Sequence, residues 1–422
     1  MRPRARPREA VLLCLAAALA LAASSAVALG LRGQVRPGDL VPALSLVVLA
    51  VGLHAALSLR GWQADQLVLP IAVSLMGLSL ALNQRLAPAM AGRQALWVAF
   101  GVLAVAFAAL APYRLMLIRR FRYTVAVAGM SLVALTLVAG HGAVPGGPRL
   151  WLSLGPMTFQ PTEALKLLLV LFLAAYLDEK RELLASATTR LGPLRLPPLP
   201  YVAPLGVMLG LSLALVAVQG DLGAALLLYL IGLAMLFLAS GRGSYVAGGL
   251  ALFAGGAWFL LQHMAVVQTR FAIWLDPWSD ARGAGYQVVQ SLLALGAGGA
   301  TGTGLGLGLP TAIPAVHTDF VFAAVAEELG LAGAAAVMAL YLLLTLRGFR
   351  VALTARSSFG ALLASGLTVA LTVQSFIIVA GVVKAIPLTG ITLPFLSYGG
   401  SSILASALAL GLLLRIDEGA GR

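Results

Sequence analysis

The feature that most constrains this chain is a succession of apolar runs, each long enough to cross a bilayer and separated by short polar breaks. A spanning helix needs about 20 mostly apolar residues. That criterion picks out twelve segments: 10–31, 40–59, 67–83, 95–112, 121–140, 162–178, 200–219, 222–240, 243–265, 320–346, 357–382 and 397–415. No stretch between them is polar enough to surface a soluble domain. Of the 422 residues only 10% are charged, against about a quarter in soluble domains. The expectation is an all-α polytopic membrane protein. Disorder, a collagen repeat and a disulfide scaffold are excluded by the same counts, since the 47 glycines have no period and Cys14 is the single cysteine.

A net charge of +13 could suggest a nucleic-acid partner. The basic residues punctuate the apolar runs instead of forming a stripe, so no such partner is expected. They serve the positive-inside rule better. With the N-terminus inside, the inner segments hold 19 Lys and Arg, the outer ones eight, and Lys166 falls within a span. Both termini are therefore expected to be cytoplasmic, in a multi-pass membrane protein. The first run follows Arg2, Arg4, Arg6 and Arg8 and closes on Ala26-Val27-Ala28, like a signal peptide with its cleavage site. Its length favours a retained anchor.

Two segments on the outer face are long, 141–161 and about 266–319, and loops carry function more often than their scaffold. The larger contains Phe271, Ile273, Trp274, Leu275 and Trp278, then a glycine-rich stretch from Gly296 to Gly308. Part of it is expected to fold back onto the membrane surface. No internal repeat is visible, which disfavours the inverted-repeat transporter folds.

With only 15 acids, each can be placed. Glu9, Asp39, Asp65, Asp178, Glu179, Glu182, Asp417 and Glu418 read as solvated surface charges. The other seven, Glu163, Asp221, Asp276, Asp280, Asp319, Glu327 and Glu328, lie in the outer loops or in spans reaching that face. Ionisable groups at membrane depth are costly and are functional candidates. Glu163 and Lys166 share a helix face at i and i+3, either as an ion pair that fixes packing or as a wall presenting charge to an anionic ligand. Asp221 reads as a helix cap or a functional acid. Glu327 and Glu328 cannot both face lipid. Asp319, in His317-Thr318-Asp319-Phe320 at the mouth of the tenth span, is either a cap or a partly desolvated general base.

Several chemistries are set aside. There is no Gly-x4-Gly-Lys phosphate loop, and the run Gly302-x-Gly304-x-Gly306-x-Gly308 lacks the preceding strand of a dinucleotide fingerprint. The four histidines are isolated in sequence, and no His or Cys spacing suggests zinc.

Several segments together resemble one family. The stretch from Lys384 through Ile386-Pro387-Leu388-Thr389-Gly390 to Pro394-Phe395-Leu396-Ser397-Tyr398-Gly399-Gly400-Ser401-Ser402 is similar to the signature of the shape, elongation, division and sporulation family (RodA and FtsW). His317-Thr318-Asp319-Phe320 with Glu327-Glu328-Leu329-Gly330 resembles its HTDF…EELG segment, and Phe159-Gln160-Pro161-Thr162-Glu163 with Lys166 its FQPSE…K segment. Gln219-Gly220-Asp221-Leu222-Gly223 resembles its Q-x-DLG. Arg270, Leu275-Asp276-Pro277 and Gly283-Ala284-Gly285-Tyr286-Gln287 resemble its large outer loop. The match runs in order over about 67–415.

The resemblance implies a ten-helix core, 61–422, with the large outer loop 266–319 before the tenth of the twelve spans, and an additional helix pair in 1–60. It implies a peptidoglycan glycosyltransferase that polymerises lipid II outside the plasma membrane for cell-wall elongation or division, the elongation branch being slightly favoured. A class B penicillin-binding protein is the implied partner. Carried over by motif, Asp319 would be the general base. Glu163, Lys166, Asp221, Arg270, Gln160, Glu327, Lys384 and Ser397 would contact substrate, Arg270 at the pyrophosphate. A divalent cation, Mg or Mn, could bridge that pyrophosphate, although no ligand set is legible. Thr158 departs from the basic residue often found just before FQPSE, which leaves Arg149 or another residue to replace that contact. The alternative from another class is a lipid II flippase, and a third reading is a scaffold that only recruits the penicillin-binding protein.

Overall fold

The computed structural model describes residues 5–111, 119–142, 147–155, 157–186, 189–191, 194–196 and 199–421. Among them are fourteen α-helices: α1 (Pro7–Arg32), α2 (Pro37–Leu59), α3 (Val68–Leu86), α4 (Pro88–Leu110), α5 (Arg122–Ala139), α6 (Pro161–Ser186), α7 (Leu199–Val218), α8 (Leu222–Ser240), α9 (Gly243–His263), α10 (Ala265–Leu275), α11 (Tyr286–Gly298), α12 (Val321–Thr354), α13 (Ser358–Val382) and α14 (Gly400–Gly421). Two short antiparallel hairpins, β1–β2 (Leu152–Leu154, Met157–Phe159) and β3–β4 (Thr189–Leu191, Leu194–Leu196), are the only strands among the described residues.

Eleven of these helices are long and apolar enough to cross a membrane. The twelfth expected span, 162–178, is present as α6, but Glu163, Lys166 and Asp178 interrupt its apolar stretch. The large loop contains α10 and α11, each too short to span, so the segment expected to fold back is helical and not extended.

The chain divides into two compact units. The first holds residues 1–110, 259–347 and 374–422, and the second holds 111–258 and 348–373. In the first, close backbone approach decides the packing. Gly77 of α3 faces Ala20 of α1, where a Cβ would lie 2.5 Å from the alanine methyl, and Gly400 of α14 lies against the Trp97 ring of α4. Small residues at such crossings are how helices associate without a hydrophobic driving force.

The same unit corrects the reading of the terminal acids. Glu9, expected to be solvated, is fully buried. It pairs with buried Arg6, and its Oε1 lies 2.7 Å from His54 Nδ1. Arg6 also donates to the carbonyls of Trp62 and Asp65, each at 3.2 Å. Glu418 is buried as well, its Oε2 accepting the Gln63 N–H at 2.6 Å. Asp417 accepts the Asp65 N–H at 2.5 Å. Buried charges persist when paired and fully hydrogen-bonded, and these partners come from segments up to 355 residues away in sequence.

In the second unit, Tyr123 of α5 packs on Phe172 and Tyr176 of α6. Asp178, also expected to be solvated, is held by Arg119 at 2.8 Å, and Arg122 reaches Glu179 at 2.5 Å.

α12 is broken at Gly330, whose φ of 66° and ψ of −169° are not helical. The glycine-rich stretch docks into the break. Thr303 and Gly304 donate to the carbonyls of Glu327 and Glu328 at 3.0 and 2.9 Å, while Leu331 and Ala332 donate back to Gly299 and Ala300 at 2.9 and 3.1 Å. A Cβ at Gly330 would strike the Gly302 backbone. The glycines are there because backbone meets backbone.

Candidate active site

Asp319 sits just before α12, half-buried, at the end of a train of turns that begins at Gly298. Its own amide and that of Thr318 donate to the Ala315 carbonyl at 3.3 and 3.0 Å. Ala315 has φ 53°, a left-handed conformation costly for a residue with a Cβ.

The two signature segments meet here. The Tyr398 N–H donates to the His317 carbonyl at 2.8 Å, and the Ser397 hydroxyl donates to the Thr318 carbonyl at 2.5 Å while accepting the Leu393 N–H at 2.9 Å. Ser397 is buried. Its hydroxyl is thus engaged in holding the backbone that carries Asp319, and it lies off the cavity described next. The His317 ring stands edge-on to Tyr398 at 5.6 Å, and partial burial lowers the imidazole pKa below the ordinary 6.5.

A cavity of about 460 Å³ opens beside Asp319. Its apolar wall is Ala265, Val266, Ile273 and Trp274 of α10 with Val288, Ile386 and Leu388. Its polar groups are Thr269, Arg270, Gln287, Lys384 and Asp319. Arg270 donates to the Thr389 carbonyl at 3.4 Å, Lys384 Nζ to the Leu275 carbonyl at 3.3 Å, and the Trp274 indole to the Lys384 carbonyl at 3.1 Å. Lys384 has φ 61°, so its backbone too is held in a strained conformation by its surroundings. Gly390 approaches the acid closely: a Cβ there would lie 3.7 Å from Asp319 Oδ2. Two cations, one carboxylate and an apolar wall suit an amphiphile with an anionic group.

Glu327, the other expected contact in this segment, does not line the cavity. Its Oε1 accepts the Leu309 N–H at 2.6 Å. Glu328 Oε2 accepts the Gly306 N–H at 3.0 Å and its Oε1 receives Arg85 Nε at 3.2 Å. These adjacent acids therefore face a polar interior made of loop backbone.

The remaining expected residues lie together in the second unit. Lys166 Nζ is 2.6 Å from Glu163 Oε2, with the lysine buried. Gln160 Nε2 donates to Asp221 Oδ2 at 3.3 Å, and Asp221 Oδ1 caps α8 by accepting the Ala224 N–H at 3.0 Å. Gln219 donates to the Val133 carbonyl at 3.0 Å and to Thr136. Thr158 and Arg149 are exposed. For a cation, no cluster of three or more His, Cys, Asp or Glu able to hold an ion exists among the described residues. Asp319 alone could offer one ligand to an ion that an anionic substrate brings with it.

Thr269 carries no signal in the sequence, and Trp274 and Ile386 stand there as loop and motif residues but not as site residues. Thr269 and Trp274 are turned to the cavity by the short α10, whereas Ile386 reaches it from the segment that follows α13.

The fold and the cavity define a polytopic helical membrane protein with an acid and two cations beside an amphiphile-sized cleft. The family model described as "Cell cycle protein" (FtsW/RodA/SpoVE) matches residues 63–420, and the chain belongs to that family. It is 40% identical to the peptidoglycan glycosyltransferase RodA of Mycobacterium tuberculosis (strain H37Rv), over 100% of this chain and 92% of that protein. It is 35% identical to a probable peptidoglycan glycosyltransferase FtsW of Geobacter sulfurreducens, over 75% of this chain and 82% of the relative. Among solved structures, it resembles a chain from a peptidoglycan synthase complex described as coordinating polymerization and crosslinking, with TM-score 0.72, 27% identity, and 85% and 98% of the two chains covered. The rod-shape-determining protein RodA of Thermus thermophilus is similar at TM-score 0.60 and 26% identity, over 84% and 97% of the chains.

Proposed function

We propose that this protein is a peptidoglycan glycosyltransferase that polymerises lipid II into glycan strands on the outer face of the plasma membrane. The observation that carries the reading is the half-buried carboxylate of Asp319 beside a cavity that also holds Arg270 and Lys384. Family membership supports the same chemistry. Asp319 takes the proton from the acceptor sugar hydroxyl as its oxygen bonds to the donor's anomeric carbon. The bond from that carbon to the lipid pyrophosphate breaks, and the pyrophosphate leaves with the electron pair. Arg270 and Lys384 neutralise the charge that develops on it. The apolar wall suits the start of the lipid chain. Nothing in this scheme needs a soluble energy-coupling domain.

The likeness to a synthase-complex chain supports a transpeptidase of the penicillin-binding class as partner. The positive-inside bias supports cytoplasmic termini and an outward-facing site.

The test is polymerisation of fluorescent lipid II by the purified full-length chain in proteoliposomes. Long glycan strands from the wild type and none from Asp319→Asn are expected. Lipid II scrambling across the bilayer with no polymer formed would replace the enzyme with a flippase.

A further inference from the structure

The family match begins at residue 63, so α1 and α2 stand outside it. Yet α1 reaches the loop that delivers Asp319. A Cβ on Gly30 would lie 2.6 Å from the Leu305 carbonyl and 3.0 Å from Gly306 Cα. Only a glycine lets helix and loop come this close. The far end of the same helix is fixed by the buried Arg6–Glu9–His54 cluster. On its other side the loop is gripped from α3, where Arg85 Nε meets Glu328 at 3.2 Å and its terminal nitrogen donates to the Gly308 carbonyl at 2.8 Å. Glu328 in turn accepts the Gly306 N–H. Between Gly306 and Asp319 the backbone passes through short turns and a 3-10 turn at Pro310–Ala312, with Ala315 left-handed four residues before the acid. A strained residue keeps its conformation only if its surroundings over-determine it.

We propose that Gly30 and Arg85 are positioning residues: they set the register of the glycine-rich loop and, through it, the place of the Asp319 carboxylate. The N-terminal helix pair is then a buttress of the site. The inference rests on the proposed role of Asp319 for its kinetic readout but not for its structural one.

The test compares full-length Gly30→Ala, Arg85→Lys and Gly52→Ala in proteoliposomes. Gly52 is the control, lying on α2 with nothing within 4 Å of where an added methyl would stand. Arg85→Lys keeps the charge on Glu328 but loses the fork that also reaches Gly308. Both test variants should lower kcat on lipid II by roughly 10- to 100-fold, the cost of a misplacement near 1 Å. KM should stay close to wild type in both, and the melting temperature should stay close to wild type in Arg85→Lys. Amide hydrogen exchange should quicken across 303–318 and nowhere else. Gly52→Ala should match wild type in all of these. Wild-type kcat and exchange in both variants overturn the proposal, as does an equal kcat loss in Gly52→Ala. If Gly30→Ala fails to accumulate, Arg85→Lys decides. If the wild type forms no polymer, the reading of function fails, and the exchange measurement still decides whether these residues hold the loop.

Discussion

The polar cluster of the second unit and the cavity cations of the first are satisfied in different ways. In the second, Lys166 pairs with Glu163, and Asp221 accepts from the Gln160 amide and from the first turn of α8. In the first, the cations of the cavity lean on backbone carbonyls, Arg270 on Thr389 and Lys384 on Leu275, at long distances of 3.4 and 3.3 Å. A carbonyl satisfies a donor without neutralising its charge. Matched charge builds structure, whereas charge left unneutralised beside an apolar wall is available to an anionic ligand.

Substitutions that separate these two behaviours should break or sharpen the contrast. Asp319→Asn should have the largest effect, removing the proposed base and lowering polymerisation by about 10²- to 10⁴-fold. Its melting temperature should stay near that of the wild type, and a large drop would show the acid to be structural instead. Next come Lys166→Met and Glu163→Leu. Each alone breaks a mostly buried ion pair and should cost about 3–5 kcal/mol of stability. The double replacement should recover most of that loss in a thermal unfolding series. Should the double variant be stable but inactive, the pair belongs with the substrate contacts after all.

Arg270→Ala and Lys384→Ala should each cost about 1.5–3 kcal/mol of transition-state binding, the range for hydrogen bonds to charged groups. That corresponds to roughly a 10- to 100-fold loss in kcat/KM, with unfolding little changed. The smallest effect concerns His317. Its pKa is lowered by burial, so the unfolded chain takes up the proton first. The stability it contributes is complete above pH 6.5 and declines as the pH falls below that value toward the folded pKa. Between pH 7.5 and 5.5 the wild type should lose slightly more thermal stability than His317→Gln. Equal losses would show that the imidazole does not titrate differently in the fold.

Much of the architecture was legible in the chain because a lipid solvent permits few solutions. Every apolar run had to become a helix, and all twelve did, even where the charges of α6 interrupt its apolar stretch. Glu163 with Lys166 was legible because an i, i+3 pair is a local fact. The terminal acids were misread for the opposite reason. Nothing near Glu9 in sequence announces His54 or the Trp62 carbonyl, so burial of the cluster depends on how α1 and α2 come together. Ser397 and Glu327 show the same limit: their motif was visible, but not that it would be bonded to the Thr318 carbonyl and the Leu309 amide.

By itself, then, the sequence determined the medium, the twelve long helices and the small set of acids worth attention, since apolar length and the scarcity of charge act locally along the chain. The tertiary structure alone decided what each of those acids touches, Asp319 lining the cavity and Glu327 meeting loop backbone. Such contacts depend on backbone groups, such as the amides of Leu309, Gly306 and Gln63, whose place no side-chain pattern encodes.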